Sequence, residues 1–385
     1  MLSRTQRTPL AEWWWTVDRM LIFFIGALIV IGVMLSLAAS PPVARTLRMA
    51  NEFAFVQKHF IFLGLAIPLM LGVSMLSDVW LRRVALGVFL VGLVGVAATL
   101  VVGAEVKGST RWLDLGPVNI QPSEVLKPGF FVVTAFLLAE AGKNPELRLT
   151  LISVALYGLV ALLLVLQPDI GQTMLITAVW GAMLFIGGLP LAWAIGAGLA
   201  GIGGLAGAYF FVPHVTGRID RFLDPSTGDT HQTDRAIDSF LAGGWFGRGP
   251  GEGIVKDHLP DSHTDYVFAV AAEEFGIILC LAIALIFALL VLRGLMHALN
   301  EEDPFRRLAL AGLVLSLGAQ AGINMGVNLD LLPAKGMTLP FISYGGSSLL
   351  SVSLTAGMLL GLSRRRARRS RFRVESPGLA RARLA

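Results

Sequence analysis

The chain has 385 residues, 55% of them hydrophobic and 15% charged, with a mean hydropathy of +0.71, against about one quarter charged in an ordinary soluble domain. That balance excludes a soluble multidomain enzyme, so the length is best divided into membrane span plus loop. The net charge of +5 arises from 31 Lys and Arg against 26 Asp and Glu, and nine arginines follow Gly361. A basic run directly after an apolar helix reads as a cytoplasmic anchor in preference to a nucleic-acid-binding tail. Cys280 is the only cysteine, which rules out an intramolecular disulfide, a CxxC redox pair and a cysteine zinc site.

In chain order, Trp13, Trp14 and Trp15 with Arg4, Arg7 and Arg19 predict an interfacial N-terminal segment over 1–19 that leads into a permanent span, not a cleavable signal peptide. Ten apolar stretches follow, at about 20–39, 59–77, 84–103, 125–141, 150–166, 170–188, 191–212, 266–292, 307–328 and 341–362, each near the roughly 20 residues a membrane helix needs. The reading is an all-α polytopic membrane protein with one ten-helix domain over 20–362 and a basic tail over 363–385. An even count places both termini on one side. Most Lys and Arg fall there too, which makes that side the cytoplasm. The only sizeable outer segment is the loop at 213–264, between the seventh and eighth helices, and a loop of this length is usually functional. Its glycine-rich run from Gly247 to Gly253 resembles a phosphate loop in composition. It lacks the Gly-Lys-Ser/Thr ending and a preceding βαβ strand, so it reads as a mobile hinge.

Ionisable groups in or at the mouth of a span are expensive enough to be functional candidates, and here they gather on the outer side. Glu124 and Lys127 are three apart on the fourth helix and can pair on one face, as a structural ion pair or beside a ligand. Arg111, next to Trp112, reads as an interface anchor or as a phosphate contact. Asp169 follows Gln167-Pro168 at a helix turn and is placed to cap the next helix. Asp265 opens the eighth helix, either as a cap or as a functional acid, with Ala269, Ala272 and Gly276 forming a lane of small residues beneath it that could admit a ligand. Glu273 and Glu274 lie deeper and read as paired within the bundle. Gln320, Asn324 and Asn328 form one polar stripe on the ninth helix, read as interhelical hydrogen bonding. Lys335-Gly336 and the run Pro340-Phe341-Ile342-Ser343-Tyr344-Gly345-Gly346-Ser347-Ser348 then make a small, polar loop before the last span.

Gln121-Pro122-Ser123-Glu124, Gln167-Pro168-Asp169, Leu259-Pro260-Asp261-Ser262-His263-Thr264-Asp265-Tyr266 and the Pro340 to Ser348 run occur in an order that resembles the SEDS family (shape, elongation, division and sporulation). The resemblance covers residues 15–365. Within the family the chain is similar to the division branch, on Gly243 to Gly253 and Asp224-Pro225-Ser226-Thr227-Gly228-Asp229, with the elongation branch as the alternative. The resemblance implies a peptidoglycan glycosyltransferase of the inner membrane, acting at the division septum on lipid II at the periplasmic face. It also implies a class B penicillin-binding transpeptidase and other divisome membrane proteins as partners, with no nucleic acid. The family's essential acid falls on Asp265. An inverting displacement of a pyrophosphate needs a base for the attacking hydroxyl and positive charge for the leaving group. Asp265 is therefore expected as general base, and Arg111, Lys127, Arg248, Lys256 and Lys335 as candidates for the pyrophosphate. Glu124, His263 and Ser343 are expected to border the substrate. No cofactor is implied, and a divalent cation, Mg or Mn, is left open for the leaving group. The rival class is a lipid II flippase, which would want polar groups continuous from face to face, and a third reading is a passive division scaffold.

Overall fold

The computed structural model describes residues 8–46, 48–106, 109–116, 119–144, 148–189, 231–333 and 336–364, with short pieces between 196 and 220. Most of the expected seventh span, Lys335 and the basic tail beyond Arg364 lie outside the described residues. Each of the other nine apolar stretches forms a helix. Numbered among the described elements, the chain runs α1 (Pro9–Thr16), α2 (Arg19–Thr46), α3 (Ala54–Ser74), α4 (Asp78–Val102), β1 (Ala104–Val106), β2 (Ser109–Asp114), β3 (Asn119–Ile120), α5 (Pro122–Lys143), α6 (Leu149–Leu166) and α7 (Ile170–Ile186). Within the long loop lie α8 (His231–Gly243) and a 3-10 turn (Val255–His258), and after it come α9 (Val267–Leu299), α10 (Pro304–Asn328) and α11 (Gly346–Leu362).

Seven of these helices are long and apolar enough to cross a membrane, and α7 and α11 are shorter apolar helices; the chain is a polytopic helical membrane protein. At 1.5 Å per residue even the 17 residues of α7 reach about 25 Å, close to the thickness of a bilayer core. The packing is layered. Almost every residue of α11 is buried, and α5 and α10 are mostly buried too, as expected of helices apolar all round. Around them α3, α4, α6 and α9 expose Leu65, Val91, Val94, Leu162, Leu281 and Leu285, the pattern of helices whose outer faces meet hydrocarbon. Small residues let the inner helices close up: a Cβ on Gly92 would lie 2.6 Å from the Leu126 Cα, and one on Gly129 2.5 Å from the Phe89 nitrogen, so α4 and α5 cross backbone to backbone.

The two ends of the bundle differ. At one, the Trp13 indole of α1 donates to the Ser74 hydroxyl at 2.8 Å, Arg364 donates to Thr16 at 2.9 Å, and Asp18 accepts from Arg293 at 2.6 Å and from His297 at 2.7 Å. Both ends of the described chain therefore meet there. The opposite end carries α8, the Asp265 loop and a small antiparallel sheet in which Ala104 pairs Trp112 and Leu113 pairs Ile120. That sheet departs from the all-helical expectation, because strands of three, six and two residues are too short to show a period.

Candidate functional site

Asp265 lies at the start of α9 but does not cap it. The N-cap position belongs to Tyr266, which makes no side-chain capping bond, so the capping alternative does not hold. Instead Asp261, at a positive φ of 56°, makes a turn whose carbonyl accepts from the Thr264, Asp265 and Tyr266 amides at 3.0, 3.1 and 3.3 Å. The Asp265 carbonyl in turn accepts from the Asn324 side chain at 2.8 Å and from that of Asn328 at 2.9 Å. Asn324 also donates to the Met337 carbonyl at 2.6 Å, which brings the segment after Lys335 against Asp265. A Cβ on Gly336 would sit 3.2 Å from the Asp265 carboxylate.

The polar loop before α11 is sewn to the same place. Ser343 donates to the Thr264 carbonyl at 2.5 Å and accepts from the Leu339 amide at 2.7 Å, and the Tyr344 amide donates to the His263 carbonyl at 2.9 Å. Ser343 is buried and its hydroxyl joins two loops, so its observed part is to fix their spacing. The His263 ring packs between Phe55 and Tyr344, with centroids 4.7 and 5.4 Å away. Burial pushes its pKa down from 6.5 to about 4, against a smaller upward pull from Asp261. A neutral imidazole offers a pyrophosphate no charge.

The expected lane of small residues is occupied by protein. Ala269 and Ala272 are fully buried, and Ala269 packs with Ala236, Leu259 and Val327. A Cβ on Gly243 at the end of α8 would fall 1.9 Å from the Ala272 carbonyl oxygen. What the lane admits is α8.

The glycine-rich run is pinned, contrary to the hinge expectation. Helix α9 breaks at Gly276, with φ 82° and ψ 176°, a conformation open almost only to glycine. The loop fills the break: the Arg248 amide donates to the Glu273 carbonyl at 2.9 Å, Gly249 to Glu274 at 3.0 Å, and the Ile277 amide to Gly244 at 2.9 Å. The Glu273 carboxylate accepts from the Ile254, Val255 and Lys256 amides at 2.6, 2.7 and 2.8 Å. Glu274 accepts from the Gly251 amide at 3.0 Å and pairs with the Lys256 ammonium, which also donates to the Ala38 carbonyl at 3.3 Å. Lys256 is thus a buried strut, withdrawn from the set of cations that an outer ligand could use. Glu273 and Glu274 do pair, but with the loop.

Beside Asp265 a second polar cluster runs into the bundle. The Lys127 ammonium lies 2.9 Å from Glu124 and donates to the Gln320 side chain at 2.6 Å. Gln320 donates to the Thr338 carbonyl at 3.0 Å, next to the Met337 carbonyl held by Asn324. Gln172 donates to Glu124. Asp169 does occupy the N-cap position of α7, and its carboxylate also meets Arg111 and Ser123 at 3.4 Å and Gln121 at 3.5 Å. Of the candidates, Arg111, Glu124 and Lys127 are brought together in this network and Asp265, His263 and Ser343 in the loop cluster. Arg248 is exposed, its Nε donating to the Ala242 carbonyl at 3.3 Å. Among the described residues no group of three or more His, Cys, Asp or Glu side chains is arranged to hold a metal ion. Sequence reasoning passed over the grip of Asn324 and Asn328 on Asp265; their spacing of four was the available signal.

A bundle with a fixed acid, a polar cluster beside it and apolar flanks defines a polytopic membrane protein with a site at one mouth. The family described as cell cycle proteins, FtsW/RodA/SpoVE, matches residues 18–368, and the chain belongs to that family. It is 44% identical over 364 residues to the "probable peptidoglycan glycosyltransferase FtsW" of Caulobacter vibrioides, covering 94% of this chain and 93% of that protein. The protein of the same name in Aliivibrio salmonicida is 35% identical, covering 92% of each. Among solved structures, one of a peptidoglycan synthase complex that coordinates polymerization and crosslinking matches with a TM-score of 0.72 and 29% identity, over 90% of this chain and 97% of that one. The rod shape determining protein RodA of Thermus thermophilus matches with a TM-score of 0.65 and 26% identity, over 91% of this chain and 97% of that one.

Proposed function

We propose that the chain is a peptidoglycan glycosyltransferase that polymerises lipid II at the periplasmic face of the inner membrane, on the division branch of its family. The observation that carries the reading is the placement of Asp265: an acid fixed through its main chain by α10, with Gly336 against its carboxylate, at the end opposite the described termini. The reaction joins the C4 hydroxyl of an acceptor sugar to C1 of a donor. The new O–C1 bond forms as the bond from C1 to the lipid pyrophosphate breaks with inversion, the hydroxyl proton passes to Asp265, and the pyrophosphate leaves as an anion. Arg248, which is exposed, Lys335, next in the sequence to Gly336, and Arg111 are the proposed cations for that charge. Glu124 and Lys127, paired with each other and with Gln320, border the substrate.

The proposal includes ten spans with both termini cytoplasmic, the loop at 213–264 periplasmic, and a class B penicillin-binding transpeptidase as partner in a septal assembly. Its support is the name of the FtsW relatives and the likeness to a synthase complex that combines polymerization with crosslinking. The test is labelled lipid II in vesicles holding the protein and its transpeptidase. Glycan strands are expected from the parent protein, with Asp265→Asn lowering their rate by about 100-fold or more. Unchanged strand formation by Asp265→Asn overturns the base assignment, and transbilayer movement without strands overturns the polymerase reading in favour of a flippase.

A further inference from the structure

We infer that Asn324 and Asn328 are positioning residues for the reacting acid: two carboxamides of α10 take over the first turn of α9 and hold Asp265 against the Gly336 segment. In a regular helix the carbonyl of residue 265 would accept from the amide of residue 269. Here Asn328 is inserted between them, donating to the Asp265 carbonyl at 2.9 Å while its own oxygen accepts from the Ala269 amide at 3.1 Å. A side chain from a neighbouring helix thereby bridges the 265–269 rung, sharing the Ala269 amide with the Tyr266 carbonyl, which accepts from it at 3.1 Å. Asp265 then occupies a bend tied back to Asp261, outside the helix that begins at Val267.

Asn324 supplies the second grip. Its amide nitrogen has two hydrogens, and both are used: one to the Asp265 carbonyl at 2.8 Å, the other to the Met337 carbonyl at 2.6 Å. Two converging carbonyls leave no doubt over which amide atom faces them, since only the nitrogen can donate. One side chain thus sets the distance between the residue bearing the acid and the segment bearing Gly336. Both asparagines are buried, so their bonds are not exchanged for water, and leaving either carbonyl unpaired would be costly. Interhelical hydrogen bonding in general does not require this arrangement. Gln320, on the same stripe one turn earlier, holds Lys127 and Thr338.

The inference rests on Asp265 being the reacting acid. It says that the asparagines act on turnover more than on lipid II capture, because a displaced base spoils the attack geometry while the rest of the substrate contacts stay in place. The experiment is polymerisation of lipid II by the full-length protein with its transpeptidase, comparing Asn324→Ala, Asn328→Ala, Asp265→Asn and Ser316→Ala. Ser316 is a buried α10 residue that bonds only within its own helix and reports generic loosening of α10. Asn324→Ala is expected to lower kcat at least tenfold with KM within twofold and the melting temperature within a few degrees. Asn328→Ala should lower kcat less, and Ser316→Ala should leave it unchanged. If Asn324→Ala does not stay folded, the kcat and KM of Asn328→Ala decide. Asparagine variants that keep kcat within twofold, or lose it only in proportion to the folded fraction, overturn the inference. If they stay active while Asp265→Asn is dead, the positioning role alone falls; if Asp265→Asn is active, the base assignment falls with it.

Discussion

Asp265 lies eight residues before Glu273 and nine before Glu274, at the same end of the bundle, and the contacts that fix their backbones and side chains differ. Glu273 and Glu274 spend their carboxylates on structure, on four backbone amides and the Lys256 ammonium. Asp265 is held by its peptide group, its amide donating to Asp261 and its carbonyl taking two carboxamides. A carboxylate that accepts from several backbone amides of one loop ties that loop to its helix. Anchoring through the main chain fixes where Asp265 stands in the fold. The contrast separates two acids that keep the loop closed over the Gly276 break from one whose main chain is fixed just before α9.

The sharpest way to break this contrast is to exchange consequences, the largest effect being the loss of turnover already described for Asp265→Asn. Next in size is Lys256→Met. It should leave polymerisation per folded molecule intact but strand the Glu274 charge in a buried site, costing about 3–5 kcal/mol. A large fall in melting temperature is the expected readout, and a variant as stable as the parent that loses turnover would instead make Lys256 a substrate contact.

A smaller effect comes from His263. Its pKa in the fold is about 4 against an ordinary 6.5, so below pH 6.5 the unfolded chain binds a proton that the folded one does not. Stability is therefore unpenalised above pH 6.5 and falls as the pH drops toward 4, by about 3 kcal/mol in all. Denaturation of the parent and His263→Gln across that range should show the variant losing that part of the slope. Equal slopes would mean that the ring is not buried neutral. Smallest is Gly336→Ala, whose new Cβ at 3.2 Å from the carboxylate should push it by a few tenths of an ångström. A fall in kcat of about tenfold is expected, since small displacements of a reacting group are felt strongly; an unchanged kcat would show that the carboxylate moves without loss.

Legibility followed the range of the forces involved. Nine of the ten apolar stretches are helices in the described chain because a long apolar run has one good solution in a membrane. Their ends were less readable: α2 runs on to Thr46 through Pro41 and Pro42, and α11 begins at Gly346, beyond the coil around Phe341 at a φ of 65°. Motif order alone singled out Asp265, and charge spacing showed that Glu124 could pair with Lys127. The three-stranded sheet, the filling of the small-residue lane by α8 and the burial of Lys256 were not visible, since each depends on a partner far away in the chain.

By itself, then, the sequence determined what kind of solvent the protein lives in, where its helices run and which few polar residues have to be accounted for, all properties of local composition and period. The tertiary structure decided what each polar residue does. An Asp, a Glu or a Lys carries the same charge wherever it stands, and only the donors and acceptors that surround it separate a strut from a reacting group.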